Sequence, residues 1–459
     1  MFFRSQPVHF TGIGGIGMSG LAEILLRAGY AVSGSDLRLS PITNRLRELG
    51  ARIAEGHAAE NLGEAKVLVA TSAVDAANPE VVEARRRGIP VVTRGELLAE
   101  VMRGRFGIAV AGSHGKTSTT SMIATMLCQA GLDPTVLVGG NLSTLGGSNA
   151  RLGASRYMVA ETDESDGSFL RLSPIIAVIT NIDREHLDFY PSLEAIRAAF
   201  LEFANKQPFY GAVIACLDDE NVREILPSVR SRAITYGRTE EADLIVTGVR
   251  CGHFESEFDA RSLGRELGRF RVLVPGAHNV LNAAAAIAVG LELELDPEQI
   301  RAGLAEYRGV DRRFQVRGHE AGVTVIDDYG HHPTEIRATL AAARLCDFGR
   351  VHMIFQPHRY TRTRALFEEF ATCFEEADSV TLLDIYEASE KPIAGVTAER
   401  LAERIRATGP APVTYAGTMQ NAAEALRLAV KPGDAVITQG AGNVWQAGDL
   451  LLQALREER

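Results

Sequence analysis

AVAGSHGKTSTT, residues 109–120, decides how this chain folds. It opens inside an apolar run, FGIAVAG, that reads as a buried strand, and it closes in TSTTSMIATMLCQAG, which reads as a helix stopped by Gly131. Gly115-Lys116-Thr117 at that junction has the form of a phosphate-binding loop. The lysine reaches the terminal phosphates as a point charge, and the hydroxyl can sit on Mg2+. The loop is nevertheless short. The usual form places about four residues between its two glycines, whereas here only Ser113 and His114 separate Gly112 from Gly115.

A second glycine turn lies upstream. In VHFTGIGGIGMSG, Gly12, Gly14 and Gly17 fall between a strand and a helix, and Asp36 ends the next strand. Such a turn lets phosphate oxygens approach the free N–H groups of a helix N-terminus. The pattern serves any diphosphate, so NAD, another diphosphate and a purely structural turn all stay open. Downstream, the strand RYMVAE delivers Glu161, and Thr162-Asp163-Glu164-Ser165-Asp166 follows. Clustered carboxylates suit a hard cation, and a solvated acidic turn is the plain alternative. After IIAVITN comes IDREHLDFY, with Asp183, His186 and Asp188 at another strand end.

The rest of the chain fits this frame. Its 459 residues suggest about three domains, and 46% hydrophobic with 23% charged residues is ordinary globular composition. No apolar run is long enough to span a bilayer, and MFFRSQPVHFTGIGG breaks into glycines before a signal-peptide core could form. Five cysteines without CxxC spacing point to reduced thiols and a cytoplasmic setting. A net charge of −10 argues against nucleic acid as a partner. Short strands alternate with helices in three successive stretches, while residues 241–274 read as polar and broken. The expected class is α/β with three lobes. These are a Rossmann-like domain at 1–103, a central P-loop ATPase-like domain at 104–316 and a C-terminal Rossmann-like domain at 317–459, beginning after RRFQVR.

GSHGKTSTT resembles the shortened ATP loop of the Mur ligase family, which joins amino acids to muramic acid in cell-wall synthesis. ETDESDGSF, NIDREHLDFY, GAHNVLNAAAA, DDYGHHPTEI and QPHRYTRT resemble that family's further motifs in the same order. Within it, GIGGIGMSGLA, TSAV and DDYGHHP look most like the branch acting on UDP-N-acetylmuramate and L-alanine. The resemblance implies ATP and Mg2+ as cofactors. It assigns ATP to Gly112, Ser113, His114, Gly115, Lys116, Thr117, Ser118, Asn279, Asn282, Arg313 and Asp328. It gives the metal to Thr117, Glu161 and His186. The UDP-sugar falls to Gly14, Gly15, Ile16, Gly17, Met18, Ser19, Asp36 and Ser72, and the amino acid to Tyr329, His331, His332, Arg359 and Arg362.

Helix capping by Asn279 and Asn282, surface histidines at 331 and 332, and an interdomain ion pair at Arg313 are the structural alternatives. The implied chemistry activates a carboxylate as an acyl phosphate, which an amine then attacks, with His332 as the candidate base. Lys116, Glu161, His186, His332, Arg359 and Arg362 form the expected catalytic set. A ligase that attaches a whole peptide to the same sugar nucleotide is one rival reading, and a nicotinamide-dependent oxidoreductase is another.

Overall fold

The computed structural model describes residues 6–71, 74–142, 147–187, 189–252 and 254–457, with the backbone alone at 141 and 142. Ser72 and Asp188 lie outside the described residues. Three sheets follow one another along the chain. In the first, the parallel strands run Arg52–Glu55, Val32–Asp36, Val8–Thr11, Val67–Ala70 and Val91–Thr93 in spatial order. The chain starts in the middle and winds outward both ways, as in a Rossmann-like domain. Val8–Thr11 is wholly buried, as expected of a central parallel strand covered on both faces.

The second sheet has ten strands and centres on Phe106–Ala111, with Tyr157–Glu161 on one side and Ile176–Ile179 on the other, both parallel to it. Its far edge comprises Leu244–Gly252, Glu255–Ser262 and Arg265–Val272, so the stretch read as polar and broken is regular sheet. Glu255–Ser262 alternates half-buried and buried positions, with Ser256, Phe258 and Ala260 inward and charged residues between them. Two of its three inward side chains are small, so little apolar signal reaches the sequence. The third sheet orders Gln315–Glu320, Val323–Asp328, Ala435–Gln439, Val351–Phe355, Ser379–Leu383 and Val413–Gly417. Its first strand is an antiparallel edge, so this sheet begins inside the stretch that the sequence reading leaves to the middle lobe. Val316 is half exposed there, which is why the segment lacks the look of a core strand.

The chain forms two compact units. One comprises Met1–Val246, Ala260–Gly268 and Leu281–Tyr307, and the other Thr247–Asp259, Arg269–Val280 and Arg308–Arg459. Within the first unit, a continuous core joins Leu21, Ala22 and Phe10 to Leu137, Ala150, Phe169 and Phe200. The helix Ile16–Arg27 makes that junction. A Cβ on Gly20 would lie 2.5 Å from Leu137 and 3.0 Å from Asn149 Nδ2, so glycine lets the helix settle onto the second sheet. Asn149 donates to the Ile16 carbonyl at 2.6 Å, and Ser148 donates to the buried Glu23 carboxylate at 3.0 Å. Arg27 and Arg45 hold the other Glu23 oxygen at 2.8 and 3.1 Å.

A second buried carboxylate organises the first sheet. Glu80 accepts from Thr11, Ser35 and Asn61 at 2.7 Å each, from His9 at 3.3 Å and from the Ala58 amide at 3.4 Å. Burial alone would raise its pKa. The donors from His9, Asn61, Ser35 and Thr11 outweigh that and pull it down to about 2. In the second unit, apolar clusters around Phe355, Phe370 and Leu401 and around Val325, Leu451 and Ala422 contribute the core about the third sheet. Among the described residues, no helix is long and apolar enough to cross a membrane.

Candidate active site

The ATP-loop helix Lys116–Gln129 starts directly after Gly115, whose φ of 79° is left-handed and suited to glycine. A Cβ there would stand 2.6 Å from Asn282 Oδ1, and one on Gly112 would collide with the Thr180 hydroxyl. Both glycines are therefore required by close approach. The loop rests on the end of the strand Ile176–Ile179 and the residues after it. Asn181 Oδ1 accepts from the His114 amide at 2.8 Å, and its Nδ2 donates to the His114 carbonyl at 3.0 Å. Ser113 Oγ accepts from the Asp183 amide at 2.8 Å, and His114 Nε2 lies 3.0 Å from Asp183 Oδ2.

Lys116 folds back over this loop. Its Nζ donates to the Gly112 carbonyl at 2.5 Å, the Ser113 carbonyl at 3.0 Å and Glu164 Oε1 at 2.7 Å. Burial would lower the lysine pKa, but the charges of Glu164 and Glu185 outweigh it and raise the value to about 12. Thr117 donates to Glu161 Oε1 at 2.9 Å, and the Gly139 amide donates to Glu161 Oε2 at 2.6 Å. His186 Nε2 lies 3.5 Å from Glu164 and 3.7 Å from Glu185, with ligand atoms of all three within 4.8 Å of one another. Burial pushes the His186 pKa down, and the two carboxylates more than reverse it. Glu164 Oε2 is buried and has no hydrogen-bond partner among the described residues. Buried carboxylate and hydroxyl oxygens beside a charged lysine fit a Mg2+–phosphate group. Ser118 is buried in the first turn of the helix.

The sequence reading found Lys116, Thr117, Glu161 and His186 but missed Glu164 as the partner of the lysine. It also missed Asn181, whose position just after a buried strand was the available signal. Asn282 lies against Gly115 and accepts from Thr119 at 3.1 Å. Asn279 donates to the Pro275 carbonyl at 2.8 Å.

At the first glycine turn, Asp36 Oδ2 accepts from the Gly14 amide at 2.8 Å. Gly12 has φ 79° and packs toward Thr71. Gly15 is the N-cap residue, Ile16 the first helical residue, and Gly17, Met18 and Ser19 complete the first turn. Helix geometry leaves the amides of Ile16 and Gly17 without a carbonyl four residues back.

In the second unit, the remaining expected residues gather at strand ends. Asp328 Oδ1 accepts from the Gly330 amide at 2.8 Å and Gln439 at 3.0 Å, and Oδ2 accepts from the Phe314 amide at 2.8 Å. Tyr329 lies under the guanidinium groups of Arg312 and Arg313, 5.0 and 5.2 Å from the ring centre, with His331 edge-on at 5.7 Å. Arg313 also approaches Glu335 at 3.6 Å. His332 is buried and caps the helix Pro333–Arg344, its Nδ1 accepting from the Thr334 amide at 3.3 Å. Arg359, at φ 70°, donates from Nε to Glu390 at 2.7 Å, and Glu390 also accepts from the Thr361 hydroxyl at 2.6 Å. Arg362 donates to His358 Nδ1 at 3.0 Å. Burial, with Arg362 and Arg359 adding to it, lowers the His358 pKa to about 4, so this ring is neutral and stacks on Tyr386 at 5.6 Å. The sequence reading did not single out His358 or Glu390.

Comparison with known proteins gives three domain matches in order. They are "Mur ligase family, catalytic domain" at residues 7–106, "Mur ligase middle domain" at 110–290 and "Mur ligase, glutamate ligase domain" at 312–442. The UDP-N-acetylmuramate–L-alanine ligase of Solibacter usitatus is 64% identical over 100% of this chain and 97% of its own. The crystal structure of UDP-N-acetylmuramate-alanine ligase MurC from Thermotoga maritima is similar at TM-score 0.83 and 28% identity, covering 99% of this chain and 100% of that one. A murein peptide ligase from Psychrobacter arcticus is similar at TM-score 0.71 and 25% identity, covering 98% and 99%. With three domain matches in sequence order and a full-length relative at that identity, the chain belongs to the Mur ligase family of ATP-dependent, amide-forming ligases.

Proposed function

We propose that this ligase joins L-alanine to the lactyl carboxylate of UDP-N-acetylmuramate, with ATP giving ADP and phosphate, to make UDP-N-acetylmuramoyl-L-alanine for peptidoglycan. The full-length 64% identity to a relative of that name carries the reading. A carboxylate does not condense with an amine unaided. Attack of the lactyl oxygen on the γ-phosphorus of ATP gives an acyl phosphate. The neutral amine of alanine then adds to its carbonyl carbon, and phosphate leaves.

Lys116, kept charged by Glu164 and Glu185, spreads the charge of the transferring phosphoryl group. The Thr117 hydroxyl and Glu161 carboxylate would hold Mg2+, which supplies further charge neutralisation there, and His186, grouped with Glu164 and Glu185, would add a ligand. On this reading Arg359 and Arg362 would take the alanine carboxylate, and His332 the amine proton.

On this reading residues 1–103 bind the UDP-sugar, 104–316 bind ATP and 317–459 bind the amino acid, in a cytoplasmic enzyme. The test is phosphate release from ATP and Mg2+ with UDP-N-acetylmuramate plus single L-amino acids or the tripeptide. Release that needs both the sugar nucleotide and L-alanine is the expected result. Release with the tripeptide alone moves the chain to peptide attachment, and no release with any acceptor refutes the sugar-nucleotide assignment.

A further inference from the structure

One guanidinium in the first unit lies against the sugar-nucleotide turn and is bonded to the acidic segment of the ATP site. Arg94 opens the helix Arg94–Arg103. A Cβ on Gly17 would sit 2.9 Å from Arg94 Cδ, 3.1 Å from its NH1 and 3.3 Å from its Nε. The guanidinium therefore packs on the bare face of that glycine. Its NH2 donates to Asp163 Oδ2 at 2.6 Å. Asp163 directly precedes Glu164, which holds Lys116. The backbone supports the same junction, since a Cβ on Gly95 would lie 2.5 Å from Ser168 in that segment. Burial would raise the Asp163 pKa, and the charge of Arg94 is the first effect that holds it low instead.

Among the glycines of the turn, Gly12 faces Thr71, Gly14 faces Asp36 and Thr43, and Gly15 faces the Gly12 carbonyl. Gly17 alone faces a cation. The turn needs one. The Asp36 carboxylate is bonded to the Gly14 amide, and the chain carries a net charge of −10. The partial charge of a helix N-terminus, about half an elementary charge, does not by itself balance a diphosphate beside that carboxylate. A guanidinium can use NH2 on one partner and offer the N–H groups of NH1 to another.

We propose that Arg94 receives the diphosphate of the sugar nucleotide on NH1, the nitrogen that faces Gly17, while NH2 stays on Asp163. This rests on reading the glycine turn as the sugar-nucleotide site. One side chain then ties the bound sugar nucleotide to the segment that holds the ATP-loop lysine.

The test is calorimetric titration of the full chain with UDP and with UDP-N-acetylmuramate, without ATP, comparing wild type with Arg94→Gln, Arg94→Lys and Asp163→Asn. Loss of charge-assisted hydrogen bonds predicts that R94Q weakens both ligands on the order of 10- to 100-fold. R94K recovers part of this because it keeps the charge and loses the fork. D163N binds UDP within about threefold of wild type, since NH1, which faces the turn, is untouched. R94Q binding UDP as wild type does overturns the proposal. Equal weakening by R94Q and D163N also overturns it, because Arg94 is then only a strut. Should R94Q fail to fold, R94K decides, and UDP binding unchanged in R94K refutes the role. A wild-type chain that binds neither ligand at millimolar concentration refutes the turn assignment itself.

Discussion

Replacing Glu80 with glutamine tests whether charge, rather than shape, organises the first sheet. Five donors converge on this buried carboxylate, and its pKa falls from 4.5 to about 2. Each pKa unit is about 1.4 kcal/mol, so the shift corresponds to roughly 3 kcal/mol favouring the folded state. A depressed carboxylate pKa contributes fully above the unfolded value and is lost as pH falls through the folded one. Here the window runs from pH 4.5 down to about 2. Glutamine keeps the shape, but its amide group turns donors toward donors, so Glu80→Gln should cost about 3 kcal/mol at pH 7. By about pH 3.5 the wild type has lost roughly 1.4 kcal/mol of its advantage, and the gap should narrow by that amount. The assay is urea unfolding read by hydrogen exchange at Val8–Thr11. The single tryptophan, Trp445, lies in the other unit and is blind to this sheet. The same gap at pH 7 and at pH 3.5 would show that the destabilisation is steric and refute the charge argument.

Three further outcomes follow from the sites. Lys116→Met should lower phosphate release by on the order of a thousandfold. Because the Lys116 pKa is raised to about 12, kcat/KM for ATP in the wild type should show no lysine titration up to about pH 10.5, and a fall there would contradict its pairing with Glu164. Gly115→Ala meets both a left-handed backbone and Asn282, so the ATP Kd should rise about tenfold and stability fall by about 1–2 kcal/mol; calorimetry and thermal melts check this. Glu390→Gln releases Arg359 Nε, which should raise KM for L-alanine about tenfold while KM for ATP stays within about twofold. Equal shifts in both would count against a role confined to the amino acid.

How much of this was legible in the sequence depended on distance along the chain. The ATP loop was readable because strand, glycines, lysine and helix are contiguous. In the first sheet the buried strand Val8–Thr11 was readable from the glycine turn that follows it, whereas Arg52–Glu55, exposed and charged at both ends, leaves little apolar signal. The strand Glu255–Ser262 escaped because charges alternate there with Ser256, Phe258 and Ala260, and a buried serine leaves no hydrophobic trace. Ion pairs escaped for a different reason. Arg94 and Asp163 stand 69 residues apart and Arg359 and Glu390 stand 31 apart, so no local pattern links them. Asn282 was found in sequence, but its contact with Gly115 depends on how a distant helix packs under the loop.

The seating of Ile16–Arg27 on the second sheet, through Gly20, Asn149 and Glu23, has a consequence for inhibitors. The helix that begins at the first glycine turn shares one core with the strand that ends at the Lys116 loop. On the proposed assignment both helix N-termini bind phosphates, and built into one body they keep a set spacing. A compound spanning both can therefore use a stiff tether cut to that spacing, and it forfeits little flexibility when it binds.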